Sequence, residues 1–182
     1  MADQGRTIED VVSFWRDAGP DRWFTKDDAF DELCRTRLRV VHFEAARREH
    51  DDWVDTPEGA LALMVLLDQY PRNAFRGTAH MYATDPLARH FARTALERGH
   101  DRAIEPALRL FLYLPFEHSE DLVDQDLCVA LHRPLDPELM TYALDHQAII
   151  RRFGRFPHRN ALLMRATTPD EQRFLDEGGF AG

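Results

Sequence analysis

The sequence predicts an all-α protein. Signals for the start of a helix recur along the chain, whereas no segment shows the strand-like alternation of apolar and polar residues. Apolar residues recur instead every three or four positions, as they do on one face of a helix. Because the connections between these segments are short, we expect stacked antiparallel helix pairs in a single domain that spans residues 1–182.

Three helices are predicted in the first part of the chain. The first, over about 8–18, starts after a threonine whose side chain can accept a free backbone N–H. The second, over about 27–49, carries a broad apolar stripe. The third, over 57–70, starts at Thr56-Pro57, because proline has no N–H to leave unpaired at a first helical position. Residues 60–67 are apolar on every side, so this helix should be central and buried.

The remaining helices follow from similar signals. Asp85-Pro86 starts a fourth helix, and a fifth that begins near Glu105 should be broken or kinked at Pro115. Capping residues followed by proline at Asp136-Pro137 and Thr168-Pro169 start the last two helices. The predicted ranges are about 86–98, 105–114, 116–131, 137–153 and 169–177.

Composition limits the classes of function. The net charge of −9 argues against nucleic-acid binding, and no apolar run is long enough to cross a bilayer. Residues 1–20 lack the apolar core of an export signal. The cysteines, Cys34 and Cys128, are isolated within apolar helical patterns, which favours reduced, buried thiols over a disulfide or a metal site. We therefore expect a cytoplasmic protein with no nucleic-acid or membrane partner.

A first polar cluster lies at the end of the third helix. Pro71 should end that helix, and the arginines and the asparagine beyond it can then point their donors into a shared space. The alternative is structural, because an aspartate in the last turn can pair with one of these arginines and tie down the helix end. The candidate ligand-binding residues are Asp68, Gln69, Arg72, Asn73 and Arg76.

A second cluster is acidic. On one continuous helix, Glu117, Glu120, Asp121 and Asp124 would share a face, where crowded carboxylates can create an acid or base group or hold a cation. A plainer interpretation is that these acids neutralise the arginines of 151–159. No metal is predicted, because no second histidine stands at a helical ligand spacing.

The stretch 153–160 echoes the first cluster, with an aromatic residue, a proline and an Arg-Asn pair. Here Arg155, Arg159 and Asn160 are candidate ligand-binding residues, and His158 is a candidate acid or base because its pKa lies near neutrality. No nucleophile signature and no phosphate-cradling glycine loop is present, so we predict no covalent catalysis and no cofactor.

Four motifs resemble one protein family. They are LDQYPRN at 67–73, FRGT at 75–78, FLYLPFEHSE at 111–120 and RFGRFPHRN at 152–160. Their sequences and order resemble the bacterial domain-of-unknown-function family 924, over nearly the whole chain. The resemblance implies a tetratricopeptide-repeat-like α-α superhelix and supplies no established activity.

Three hypotheses for function remain open. In the first, the clusters line a polar pocket between helix ends that binds a small anionic ligand or an acidic peptide. In the second, the protein is a hydrolase-type enzyme that acts on a phosphorylated or carboxylated small molecule, with Glu117, His118 and His158 as acid and base groups. In the third, the clusters are ion-pair networks that only fix the packing of helices.

Overall fold

The structure, a computed structural model, describes residues 6–135 and 137–180. All regular secondary structure in these ranges is helical, which confirms the predicted all-α class. The α-helices are α1 (Ile8–Ala18), α2 (Pro20–Trp23), α3 (Asp28–Ala46), α4 (Pro57–Met64), α5 (Tyr70–Ala74), α6 (Asp85–Glu97), α7 (Pro106–Arg109), α8 (Leu114–Glu117), α9 (Leu122–His132), α10 (Pro137–Phe153) and α11 (Pro169–Asp176). A π-helix spans Val65–Gln69, and 3-10 helices span Asp51–Asp55, Ala79–Tyr82, His100–Arg102, Leu110–Leu112 and Pro157–Arg159. No described helix is long and apolar enough to cross a membrane.

Side-chain caps begin several of these helices as predicted. The hydroxyls of Thr7, Thr56 and Thr168 each accept a backbone N–H of the first turn. The fourth helix differs, because Thr84 occupies the cap position and Asp85 is already the first helical residue. The predicted cap at 136 lies outside the described residues.

The chain divides into two compact units, and the residues of each pack mainly against one another. The N-terminal unit comprises Met1–Arg76 and His80–Pro115, and the C-terminal unit comprises Gly77–Ala79 and Phe116–Gly182. The single domain and the tetratricopeptide-like stacking stay predictions.

The core of the N-terminal unit surrounds α4 and the π-helix. Residues 60–67 are at most 1% exposed, which confirms a central, buried helix. Helix α4 packs against α1 and α6. The ring of Phe111 meets Trp15 and Trp23 edge-on, with ring centres 5.5 and 5.1 Å apart. The apolar run therefore forms the centre of this core because it has no polar face to turn toward solvent.

Pro71 does not end its helix, contrary to the sequence prediction. The chain widens into the π-helix before the proline and continues as α5 beyond it. A proline inside a helix removes a backbone N–H and crowds the preceding turn, and a π-turn relieves that crowding. The carbonyls of residues 66, 67 and 68 accept instead from His42 Nδ1 at 2.8 Å, Thr84 Oγ1 at 2.5 Å and Arg72 Nη1 at 2.6 Å. Side chains thus replace the missing helical donors.

The C-terminal unit packs α9 against α10, and α11 against the 3-10 helix Pro157–Arg159. The predicted helix over 116–131 is interrupted, because α8 ends at Glu117 and α9 begins at Leu122. Ser119 Oγ donates to Asp124 at 2.7 Å, and the Asp121 carboxylate accepts from the N–H of residue 123 at 2.8 Å. Such local bonds compete with helix formation. The four acids therefore do not share one helix face, which corrects the sequence prediction.

Candidate functional site

The first predicted cluster contains a buried ion-pair network in the N-terminal unit. Arg72 binds Asp85 through two hydrogen bonds of 2.9 and 3.1 Å, and its Nη1 lies 3.3 Å from Asp68 Oδ1. Gln69 donates to the Asp68 carboxylate at 2.6 Å. Burial opposes ionisation of the Arg72 guanidinium, but the two aspartates outweigh it and raise its pKa. The structure thus brings together the predicted residues Asp68, Gln69 and Arg72, and it adds Asp85, an acid that sequence reasoning had not selected, as a partner of Arg72.

The rest of that cluster binds α3. Asn73 donates to Asp31 at 2.8 Å, and Arg76 grips the same carboxylate at 2.8 and 3.1 Å. Asp31 is 5% exposed, and hydrogen bonding to it raises the pKa of Arg76. Two bonds in a planar fork specify the geometry as well as the charge. The two sequence-predicted residues therefore hold α5 and α3 together.

In the C-terminal unit, the Glu171 carboxylate accepts hydrogen bonds from the predicted residues Arg155 and Asn160. Arg155 Nε and Nη2 donate to its carboxylate at 2.5 and 2.8 Å, and Asn160 donates at 3.3 Å. The backbone N–H of Thr168 adds a bond of 2.7 Å and completes a capping box. Hydrogen bonding from Arg155 holds the pKa of Glu171 at about 2.

Glu120 binds an arginine that was not among the predicted site residues. Arg165 grips its carboxylate at 2.7 and 3.0 Å, and the N–H of Phe156 donates to it at 2.8 Å. Burial raises the pKa of Glu120, but these hydrogen bonds outweigh it and lower the pKa overall. The acid therefore neutralises an arginine, but Arg165 lies outside the stretch 151–159 that the plainer interpretation of the acidic cluster named.

His158 and Arg159 lie in an aromatic environment. The guanidinium of Arg159 stands 4.5 Å above the ring centre of Phe156, and His158 lies 5.6 and 5.1 Å from the rings of Phe156 and Phe180. Burial, with the charge of Arg159, lowers the pKa of His158 to about 3. His158 Nδ1 has no hydrogen-bond partner among the described residues. His118 is half-buried, and its charge also lowers the pKa of His158.

Glu117 joins a buried cluster of metal-ligating side chains. The thiol of Cys128 lies 3.9 Å from its Oε2, His132 Nε2 lies 3.7 Å from the same oxygen, and His146 Nδ1 lies 3.7 Å from Oε1. All four residues are at most 6% exposed. Burial and the negative charge of Glu117 raise the pKa of the Cys128 thiol, and burial lowers the pKa of His132.

The sequence analysis did not predict this cluster, although the spacing of two of its residues is visible in the sequence. Cys128 and His132 are four residues apart and therefore share one face of α9. A search for pairs of histidines overlooks a mixed cysteine–histidine pair at the same spacing. We call Glu117, Cys128 and His132 the thiol cluster; one ligand atom from each lies within 4.8 Å of the others.

A groove of about 390 Å³ lies in the N-terminal unit and is lined by α1, α2 and α3. Its volume falls within the range of small-molecule sites. Phe14 and Phe30 stack at 5.8 Å between ring centres, and Leu33 beside them is 37% exposed. Both signs of charge line this groove, through Arg6, Arg22, Arg37, Glu9, Asp10 and Asp17.

The groove arginines differ from Arg72, Arg76 and Arg155, each of which binds a carboxylate of this chain. Arg22 and Arg37 are exposed and form no ion pair among the described residues. Arg6 Nε is shielded from solvent, and no acceptor in the described part of the chain reaches it. Two of the acids are already engaged locally, because Asp10 accepts from Thr7 and Glu9 accepts from Ser13 at 2.7 Å. Among the described residues, Arg6 Nε is therefore the shielded donor of this groove without an acceptor, whereas Arg22 and Arg37 are open to solvent and Arg22 also lies 6.0 Å from the ring centre of Phe30.

Residues 11–179 match the family described as "Bacterial protein of unknown function (DUF924)". The chain belongs to the DUF924 family. It is also similar to a solved structure titled "Structure of Protein of Unknown Function ATU0120 from Agrobacterium tumefaciens", with 56% identity and a TM-score of 0.92. That match covers 94% of this chain and 97% of the other. No curated protein matches the chain.

The DUF924 match includes the thiol cluster and all the sequence-predicted site residues, and it confirms the resemblance of the four motifs. Of the three groove arginines, Arg22 and Arg37 lie within the matched residues, and Arg6 precedes them. Membership of DUF924 identifies an uncharacterised bacterial protein and assigns no activity.

Proposed function

We propose that this DUF924 protein binds an acidic peptide in the groove lined by α1, α2 and α3. The observation that carries the proposal is the set of groove guanidinium groups around an aromatic floor, one of which has a buried Nε without an acceptor among the described residues. Arginine forks bind carboxylates, and the half-buried Phe14 and the exposed Leu33 offer apolar surface to a neighbouring side chain. An acidic peptide is one of the two ligand classes expected from the sequence, and the groove is a different site from the predicted clusters.

The arginines of the predicted clusters support a structural role instead. Arg72, Arg76 and Arg155 each place a two-bond fork on a carboxylate of this chain. An external anion would have to displace that carboxylate and leave it buried, which costs several kcal/mol (about 3–5 kcal/mol when a buried pair is broken). We therefore propose that these networks fix helix packing within each unit.

The hydrolase hypothesis has less support. Near neutral pH, an acid or base catalyst needs a pKa close to the working pH and access to substrate. His158 has a pKa of about 3, and Glu117 is 6% exposed. Neither residue meets both requirements.

Fluorescence anisotropy tests the groove directly. The probe is a labelled acidic peptide that carries a leucine, compared with the same peptide in which amides replace the carboxylates, and with inorganic phosphate as competitor. We expect the acidic peptide to bind and the Arg22→Ala, Arg37→Ala double variant to bind at least about tenfold more weakly, because two charge-assisted contacts are lost. Added salt should weaken binding.

Arg39→Ala is the matched control, because Arg39 is exposed on α3 close to Arg37 but does not line the groove. Its affinity should equal that of the wild type. Equal affinity of the double variant and the control, or equal binding of the amide peptide, would contradict the proposal. Competition by phosphate alone would indicate a small-anion site in place of a peptide site.

A further inference from the structure

A different site emerges in the C-terminal unit, where three elements converge on the thiol cluster. Cys128 and His132 share one face of α9, Glu117 ends α8, and His146 on α10 borders the Glu117 carboxylate. Each of these side chains is at most 8% exposed. A thiol, an imidazole and a carboxylate thus meet in one buried place, within 4 Å of a shared carboxylate oxygen.

The donor set matches a transition metal. Cysteine sulfur, histidine nitrogen and carboxylate oxygen are the ligands of zinc sites in proteins, and thiolate disfavours calcium and magnesium. Metal–ligand bonds of about 2.0–2.3 Å place tetrahedral ligand atoms about 3.3–3.6 Å apart. Glu117 Oε2 stands 3.7 Å from His132 Nε2 and 3.9 Å from Cys128 Sγ. A contraction of a few tenths of an ångström would therefore bring the carboxylate oxygen to ligand spacing from each of the other two atoms, and the His132 ring already lies close to the sulfur, with Nδ1 3.4 Å from Cys128 Sγ.

The hydrogen bonding of His132 supports the same assignment. Its Nδ1 lies 2.9 Å from the carbonyl of Cys128, so that nitrogen carries the hydrogen and donates. The lone pair of the neutral ring is then on Nε2, the atom that faces Glu117. Metal-bound histidines commonly donate their other N–H to a backbone carbonyl in this way, which fixes the tautomer and the ring orientation.

A cation would also resolve the electrostatics of the cluster. The Cys128 thiol lies 3.9 Å from the buried Glu117 carboxylate, where a second negative charge without a cation would be unfavourable. A divalent cation offsets both negative charges, so the thiol can release its proton on binding. A nucleophilic role for Cys128 is less consistent with the structure, because its side chain is 0% exposed and no substrate can reach it.

We propose that Glu117, Cys128 and His132 bind one zinc-like transition-metal ion that ties the end of α8 to α9. The proposal is independent of the peptide groove, which lies in the other unit.

The test uses full-length protein without a histidine tag, stripped with a chelator and then titrated with Zn²⁺ or Co²⁺. We expect about one equivalent of bound metal per chain, a rise in Tm with zinc, and the near-ultraviolet charge-transfer band of a cobalt–thiolate bond. Cys128→Ser should abolish the band, and His132→Gln should weaken zinc binding at least about tenfold.

Cys34→Ser is the matched control, because Cys34 is the other buried free thiol and lies in α3, outside the cluster. It should keep the cobalt band and the zinc-dependent Tm. Circular dichroism checks that each variant is folded; if Cys128→Ser is not, the wild-type cobalt spectrum and the His132→Gln titration decide the question. Absence of a thiolate band in the wild type, or a band that is lost in Cys34→Ser and retained in Cys128→Ser, would overturn the proposal.

Discussion

Replacing Glu171 by glutamine keeps the size of the side chain and removes its negative charge. The residue is 2% exposed and accepts hydrogen bonds from Arg155, Asn160 and the N–H of Thr168. The amide of glutamine has one acceptor oxygen in place of two and adds an N–H that none of these donors can satisfy. The substitution should therefore weaken both the ion pair and the cap of α11 without opening a cavity.

The size of the effect follows from the pKa of the carboxyl group. Hydrogen bonding from Arg155 holds the Glu171 pKa at about 2 in the folded protein, against an ordinary value of 4.5. At 1.36 kcal/mol per pKa unit, this difference corresponds to about 3 kcal/mol of stability at neutral pH. The Arg155 side chain is 28% exposed, so water screens part of the interaction. We expect a loss of about 2 kcal/mol.

Urea unfolding of the wild type and Glu171→Gln should be compared at pH 7 and at about pH 3.5. Because the folded pKa is lowered, the stability contributed by the carboxylate is complete well above pH 4.5 and is lost as the pH falls toward 2. The difference between the two proteins should therefore be smaller at the lower pH. Glu177→Gln, an exposed change just after the same helix, should cost little at either pH.

Two results would refute this reasoning. One is a loss at pH 7 of less than about 0.5 kcal/mol, the range of an ordinary surface substitution. The other is a loss that is the same at both pH values, which would show that the carboxylate charge does not carry the stability.

Three further predictions concern the backbone and a buried histidine. Gly59→Ala should cost at least about 2 kcal/mol in urea unfolding, because the added Cβ would lie 2.0 Å from the carbonyl oxygen of Trp53; a neutral effect would contradict this close approach. Met164→Gly should raise the Tm, because Met164 has a φ of 54° and a side chain that is 96% exposed, and a fall would indicate that backbone entropy outweighs the relief of strain. Burial lowers the pKa of His42 to about 4, so an NMR titration should find the imidazole neutral at pH 6. The free energy of unfolding should fall as the pH is lowered from 6.5 toward 4, because the unfolded chain then binds a proton that the folded protein does not. A titration midpoint near 6.5 would contradict the lowered pKa.

The parts of the fold that the sequence predicts well depend on local chemistry. Thr56 and Thr168 cap helices because a hydroxyl and a backbone N–H two or three residues away meet within one turn. The buried position of residues 60–67 follows equally directly, because a segment without a polar face has to be enclosed. Neither inference needs to know which distant residues will be neighbours.

The wrong predictions concern places where a local signal for a helix, or for its end, is outweighed by other hydrogen bonds. Pro71 was expected to end a helix, but donors from distant parts of the chain, including His42 and Thr84, satisfy the carbonyls that it leaves without a helical partner. Helix propensity predicts a continuous helix through 116–131. The chain instead turns at 119–121, because the Ser119 hydroxyl accepts the N–H of Asp121 and the Asp121 carboxylate accepts the N–H of residue 123. The outcome in each case depends on the sum of contacts, which residue order alone does not contain.

By itself, the amino-acid sequence determined the all-α class, the capped starts of several helices and the residues that carry charge at their ends. Only the tertiary structure decided which charges meet. It placed Arg155 on Glu171, and it placed Cys128 and His132 beside Glu117. Helix periodicity is a local property of a few consecutive residues, whereas an ion pair or a ligand set depends on how distant helices pack. For that reason, Arg72, Arg76 and Arg155 of the predicted clusters bind carboxylates of this chain, whereas Arg22 and Arg37 are exposed in the groove of α1–α3.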